Sequence, residues 1–420
     1  MSPVKFLRSI RLPFDFRRTT SDVNLSRPAA IGAEVIGNPS VQSAHVERKA
    51  TRKTRHWEIL LAALVSKLLI FGLGAEAYLI LANEPINGFR GWMSIVNRWD
   101  AVHYLNIAEN GYVATGPGRN LLAFFPGYPW LIRACSWLLH DYSLSALFVS
   151  TASSLVAAVL LFELVRLDFS FVLARRAVWF FLIFPTSYFL HFAYAESLFI
   201  ALVLGSILAA RKDLWAWVGI LGAAAGLTRI NGLILIPVLG YEAARRYYLT
   251  RRFRWLWLSA MGPALGFGTY LLLNLRTTGN ALTFLTIQRE HWSKQLAAPW
   301  IGISETINSV RLRGPAESQL IGTQELIFMT IWLIATLYCC SRLRHSYAIW
   351  MAGNWLLCTS TSFIYSVPRY TLTMFPLFIL LALAARGRES GPVIAFAVSV
   401  WSLMFLALFT ALFVRGQWAF

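Results

Sequence analysis

A chain of 420 residues that is 57% hydrophobic and only 14% charged, with a mean hydropathy of +0.55, does not have the composition of a water-soluble protein. A formal charge of +18 would suggest nucleic acid in a soluble protein. Here the basic residues lie mainly between apolar segments, where they anchor and orient membrane spans, so no nucleic-acid partner is expected. The four cysteines, Cys135, Cys339, Cys340 and Cys358, sit in apolar segments without metal-ligand spacing, which argues against a zinc site or a disulfide framework.

Residues 1–57 are polar and basic and end in the cluster Arg48, Lys49, Arg52, Lys53 and Arg55. No short apolar core with a small-residue cleavage site follows a brief basic start, so this is not a signal peptide. It reads as a largely disordered cytoplasmic tail with a polybasic membrane-surface segment, a transit peptide being the weaker alternative. Residues 58–420 then form one polytopic membrane domain. Its first span, 58–81, carries Lys67 and Glu76. Nine residues set them about 13 Å apart along a helix, so they do not pair; each faces the bundle interior or snorkels.

The stretch Asn97–Tyr112 comes next. Read as a helix, it places Asp100, His103 and Tyr104 on one face, and Asn110-Gly111 is its C-terminal stop. Asp100 has two readings: a helix cap among interfacial aromatics, or a carboxylate poised just outside a span.

Later apolar segments fall at about 145–165, 177–191, 194–210, 214–228, 230–244, 255–275, 325–341, 347–366, 370–385 and 392–414. With residue 57 inside and 121–140 not crossing, the basic residues of every short inner loop fall on the inner side: Arg166, Arg175 and Arg176; Arg211 and Lys212; Arg245 to Arg254; Arg342 and Arg344; Arg386 and Arg388. That gives an all-α integral membrane protein of about eleven spans, with juxtamembrane helices in the first outer loop. The same topology gathers the unusual polar residues outside. Asp100, His103 and Tyr104 lie in loop one, His191 and Glu196 in loop two, and Arg229 in loop three. Gln288, Glu290, His291 and Trp292 lie in loop four, and Arg369 and Tyr370 in loop five. Carboxylates, cations and aromatics converging from five loops read as an active site at the outer face.

The blocks RWDAVHYLNIAENGY (98–112) and FFPGYPWLIR (124–133) resemble the PIG-V family, the second mannosyltransferase of GPI-anchor synthesis and its bacterial relatives. FPTSYFLHFAYAESLF (184–199), GLTRINGLI (226–234), GNALTFLTIQREHW (279–292) and SVPRYTLTMFPLF (366–378) continue the resemblance in order, over roughly 58–385. It implies a GT-C-type bundle whose first outer loop carries a catalytic Asp and whose donor is a polyprenyl- or dolichyl-phosphate sugar, mannose above others. By resemblance Asp100 takes the catalytic position and Glu196 a second-acid position. The chemistry suits these residues: a base for the acceptor hydroxyl, and cations for the leaving phosphate. Asp100 is the expected base; His103, Tyr104, Arg369, Arg229 and Tyr370 are expected at the donor phosphate and sugar. Glu196, Gln288, Glu290, His291 and Trp292 are candidates for a second acid or the acceptor site. One carboxylate suffices for inverting transfer, and a monophosphate donor requires neither metal nor other cofactor. The expected partners are membrane lipids, the lipid-phosphate sugar and a glycolipid, glycan or protein acceptor. The compartment is the bacterial plasma membrane, with the endoplasmic reticulum as the alternative. A transporter or flippase, or a diphosphate-donor oligosaccharide ligase, remains the competing function. A transporter would put ionisable residues at midplane depth, where only Lys67 and Glu76 qualify.

Overall fold

The computed structural model describes the backbone from residue 39 and side chains from residue 56. The expected tail up to the cluster at 48–55 therefore lies outside the described side chains. The chain divides into two units, 1–52 and 53–420. The first is described only as helical backbone over 39–52; all that follows concerns the second.

Helix α1 (Pro39–Leu81) carries the first apolar stretch, His56–Leu81. The loop after it is built of short helices: α2 (Gly88–Val96), α3 (Asp100–Asn110), a 3-10 turn at Pro117–Ala123, and α4 (Gly127–Leu139). None has the roughly 20 residues that a span needs. Helix α3 stops at Gly111, whose φ of 78° is open to glycine, as the Asn-Gly pair predicts. Arg133 of α4 then binds the main-chain oxygens of Ala108 and Glu109 at 2.6 and 2.9 Å, which seats the two helices together.

The bundle continues with α5 (Tyr142–Arg166), α6 (Phe171–Leu182), α7 (Glu196–Arg211), α8 (Trp215–Thr228) and α9 (Leu235–Thr250). Asp141 caps α5 through Leu144 N at 2.7 Å, and Ser170 caps α6. Then come α10 (Gly262–Thr278), α11 (Thr283–Trp292), α12 (Pro299–Leu312), α13 (Pro315–Ser318) and α14 (Gln324–Arg342). The last four are α15 (His345–Thr359), α16 (Val367–Thr371), α17 (Phe375–Ala384) and α18 (Ser390–Val414). The expected all-helical membrane protein is what the described residues form.

Five stretches are long and apolar enough to cross a membrane: 56–81, 142–166, 255–278, 315–342 and 390–414. The fourth bends at Ile321-Gly322, where the backbone leaves helical geometry. The other six expected spans contain shorter helices. Helix α7, with 16 residues, rises about 24 Å and α6, with 12, about 18 Å. Their paths are completed by segments outside regular α-helix at 183–195, 229–234, 360–366 and 372–374, the last two flanking the short α16. The first of these, expected as an outer turn, is wholly buried from Ile183 to Ala195. Non-helical backbone at such depth is stable only inside protein or along a cavity.

The basic loops meet at one end of the bundle. Asp168 pairs with Arg211 at 2.8 Å, and Arg211 also reaches Tyr347. Glu163 lies 2.8 Å from His56, Asp213 2.5 Å from Arg254 and Glu242 2.8 Å from Arg344. Arg246 and Arg176 bind the main-chain oxygens of Arg211 and Ala385. Asp100, Glu196, Arg229 and Arg369 meet at the other ends of their helices. Of the two ionisable residues in the first span, Lys67 is buried with Nζ on the His191 carbonyl at 2.8 Å, while Glu76 is exposed.

Helices α8 and α10 cross through glycines. A Cβ on Gly266 would lie 1.9 Å from the Ala223 oxygen, and one on Gly226 would lie 2.2 Å from the Pro263 oxygen. Small residues let membrane helices approach this closely. Gly266→Val is expected to destabilise the protein by about 1–3 kcal/mol through overpacking, read as a lower midpoint of thermal unfolding in detergent. An unchanged midpoint would show that this crossing contributes nothing.

Candidate active site

The site is built on Arg369. Its Nε donates to Glu196 Oε1, its Nη1 donates to Asp100 Oδ2 at 2.6 Å, and the same Glu196 oxygen accepts from Arg229 Nη1. Four segments far apart in sequence thus share one ionic chain: α3, the start of α7, the α8–α9 turn and α16. Glu196 is fully buried and Arg369 only 7% exposed, so the chain is shielded from solvent screening. Asp100 is half-buried, at the open end.

In this arrangement Asp100 is not a helix cap. The N-cap of α3 is Trp99, and no side chain caps the helix. The Asp100 carboxylate is turned to Arg369 instead. Trp99 has φ 54°, an outlier for a bulky residue. The Tyr194 hydroxyl holds the preceding Arg98 oxygen at 2.9 Å. Strain of this kind, maintained by its surroundings, puts Asp100 where an unstrained turn would not.

Aromatics floor the site. The Arg369 guanidinium lies 4.8 Å from the Phe189 ring centre and 4.7 Å from that of Tyr194. Both rings come from the buried irregular segment after α6. Tyr104 packs edge-on against Phe124, Tyr128 and Tyr194. Burial, and then the Asp100 charge, push its phenol well above the ordinary tyrosine range, so it stays protonated. Burial opposes the Arg369 charge, but Glu196 and Asp100 outweigh it, and its pKa is raised.

His103 sits one turn along α3, with its ring 5.1 Å from Phe124 and 6.1 Å from Trp292, so both lie at the rim. Tyr370 lies under two cations: Arg229 is 5.3 Å and Lys294 5.7 Å from its ring centre. Lys294 is a further cation of the loop that carries Gln288 and Trp292, one the sequence analysis did not single out. It is placed by the isolated bridge between Leu296 and Thr361 and by the Gln295–Ser362 bonds. Gln288 contributes its main-chain oxygen to Lys294 N at 3.0 Å. Glu290 and His291 are exposed on α11 and are not brought to the ionic chain. Helix α11 turns that side away, because Phe284 and Ile287 are its buried face.

Helices and site together define a polytopic membrane protein with a shielded acid–arginine centre at one end. Across residues 73–256 the chain is PIG-V-like: that segment matches the family described as Mannosyltransferase (PIG-V). It is 32% identical over 177 residues to GPI alpha-1,6-mannosyltransferase 2 of Mus musculus, and 31% over 182 residues to that of Homo sapiens. Each match covers 40% of this chain and 34% of the relative, so the chain aligns with about a third of the curated relatives' length. Among solved structures, ArnT from Cupriavidus metallidurans bound to undecaprenyl phosphate is similar at a TM-score of 0.45 and 14% identity, covering 85% of this chain and 72% of that one. Scores this low assign no residue and no activity. The matched segment carries Asp100, His103, Tyr104, Glu196 and Arg229; Lys294 and Arg369 lie beyond it.

Glu196 is expected to hold the site together. Glu196→Ala would leave two buried guanidiniums without their shared oxygen, at a cost of about 3–5 kcal/mol. Asp100→Ala, at the wetter end, should cost about 1 kcal/mol. Denaturant unfolding of the two variants checks the order, and equal losses would contradict it.

Proposed function

We propose that this protein is a membrane glycosyltransferase that moves a sugar, mannose first among candidates, from a polyprenyl- or dolichyl-phosphate donor to an acceptor hydroxyl. The single observation that carries the reading is the Asp100–Arg369–Glu196–Arg229 chain. It sets a half-buried carboxylate beside two oriented guanidiniums, with Asp100, Glu196 and Arg229 in the PIG-V-like segment and Arg369 beyond it. Mannose is supported by the family of that segment alone.

Oδ2 of Asp100 is taken by Arg369, leaving Oδ1 to receive the acceptor's proton. The acceptor oxygen then bonds to the anomeric carbon as the bond to the donor phosphate breaks, and that electron pair leaves with the phosphate. One displacement inverts the anomeric centre. The leaving charge is met by cations. Arg369 has Nε and Nη1 committed to carboxylates and offers Nη2. Arg229 has one nitrogen committed. Lys294 has no carboxylate within ion-pair distance among the described residues, which makes it the cation most free to follow the phosphate. Trp292, His103 and Tyr370 suit the sugar faces. No resident metal is called for. The acceptor is a hydroxyl of a glycolipid, glycan or protein.

The reaction belongs at the outer face, periplasmic or lumenal, with the basic loops and the N-terminal tail in the cytoplasm. In a variant without native cysteines, single cysteines at 118 and 280 should react with an impermeant thiol reagent from outside, and one at 212 only after the membrane is opened. The reverse pattern would invert the topology.

The decisive variant is Asp100→Asn. Asparagine keeps an oxygen for Arg369 but cannot accept the proton. Turnover with polyprenyl-phosphate-mannose should fall about 10²–10⁴-fold, with the protein folded and donor binding nearly unchanged. A near-normal rate would remove Asp100 as the base. Transfer only from a diphosphate donor would favour the ligase reading.

A further inference from the structure

Helix α16, which carries Arg369, has five residues, too few to hold its own geometry. Its shape is imposed from outside, and the groups that impose it are specific. Glu325, the second residue of α14, is fully buried. Its Oε1 accepts from Ser366 N at 2.8 Å and its Oε2 from Val367 N at 2.6 Å. Both carboxylate oxygens are thus spent on two successive main-chain donors at the start of the turn.

The third donor in that first turn does not exist, because residue 368 is proline. Ser366 has φ 65° and its own side chain makes no cap, so the left-handed entry to α16 relies on Glu325. On the far side, Thr186 Oγ1 donates to the Pro368 oxygen at 2.9 Å. Within the turn, Thr371 Oγ1 donates to the Val367 oxygen at 2.7 Å. Arg369 leaves this clamp directly toward Asp100 and Glu196.

We infer that Glu325 is a positioning residue for the transfer reaction: by clamping Ser366 and Val367 it sets the register in which Arg369 meets Asp100 and Glu196. This rests on the glycosyltransferase reading for its kinetic consequence, but not for its geometry. Buried main-chain donors can be satisfied by neutral acceptors. A carboxylate with both oxygens used fixes two donors at once, and so fixes the rotation of the turn.

Glu325→Gln separates these roles, because the amide keeps one acceptor and turns an N–H toward the second donor. The turn must then rotate or lose a bond. In the full-length protein in nanodiscs, Glu325→Gln is expected to stay folded and to lose about 10–100-fold in kcat, the scale of a misplaced catalytic constellation. Its donor KM should change little. In an Arg369→Ala background the same change should alter kcat less than twofold, since the residue it positions is gone. Equal losses in both backgrounds, or a wild-type kcat for Glu325→Gln, would overturn the assignment. If Glu325→Gln does not fold, Glu325→Asp carries the test. With both acceptors set back by one methylene, it should fold and lose kcat, and a wild-type kcat overturns the inference. A structure of either folded variant is independent of activity. Arg369 is expected to part from Asp100, and an unchanged Asp100–Arg369 contact overturns the inference even if the wild-type protein transfers no sugar. A wild-type protein inactive with every lipid-phosphate sugar would instead count against the function alone.

Discussion

One carboxylate oxygen, Glu196 Oε1, receives two guanidiniums, and the arrangement of the site depends on it. A buried charge is tolerable only when paired and hydrogen-bonded. Glu196 cannot be paired unless the α8–α9 turn and α16 both reach it. Arg369 in turn cannot be satisfied by Glu196 alone and extends to Asp100. Each charge therefore demands the next, and the demands join four segments that no local rule brings together. The same logic explains why the helices around the site are short. Side chains from several chain ends can converge below the bundle surface only where helices stop early.

The opposite end obeys a looser rule. The pairs Asp168–Arg211, Asp213–Arg254 and Glu242–Arg344 tie the basic loops, but most are partly exposed. Exposed pairs of this kind contribute roughly 0–1 kcal/mol each. They fix where loops lie rather than how stable the bundle is. The bundle thus has one polar end organised by enforced pairing and one organised by charge placement along the chain.

That difference set what the sequence disclosed. Inner-loop charges are dense and local, and simple counting was enough to group them at one end of the bundle, where the structure pairs them. Helix α3 was legible at its C-terminal end, because Asn110-Gly111 is a strong stop, and in its Asp100, His103, Tyr104 face, because that spacing is helical; its first residue was not. Asp100, Arg369, Arg229 and Glu196 were legible as candidates, because each is a charge out of place in apolar surroundings. Their pairing was not, since it joins residues 33 to 269 positions apart. The broken paths at 183–195 and 360–374 were hidden because hydropathy does not register where an apolar backbone leaves the helix. Only Pro185 and Pro368 hint at it. Glu325 looked like the first residue of a span, and nothing local announces that its partners are main-chain amides. Glu290 and His291 show the converse: polar residues in a run look alike whichever way their short helix faces, and these two are exposed and away from the ionic chain.

The charge balance of the centre gives the last constraint. Arg229, Arg369 and Lys294 lie at the centre with Asp100 and Glu196, and Glu325 accepts from two neutral main-chain donors nearby. On the proposed reading a lipid monophosphate arriving at the site meets cations that are already in place. When the phosphate departs with a further negative charge, the guanidiniums are already oriented and need no reorganisation. Orientation is the costly part, because a flexible cation would collapse onto the nearest carboxylate. Arg369 is kept from doing so by being bound to two carboxylates at once and clamped at its backbone. Its remaining nitrogen is thereby held in a direction it could not keep alone.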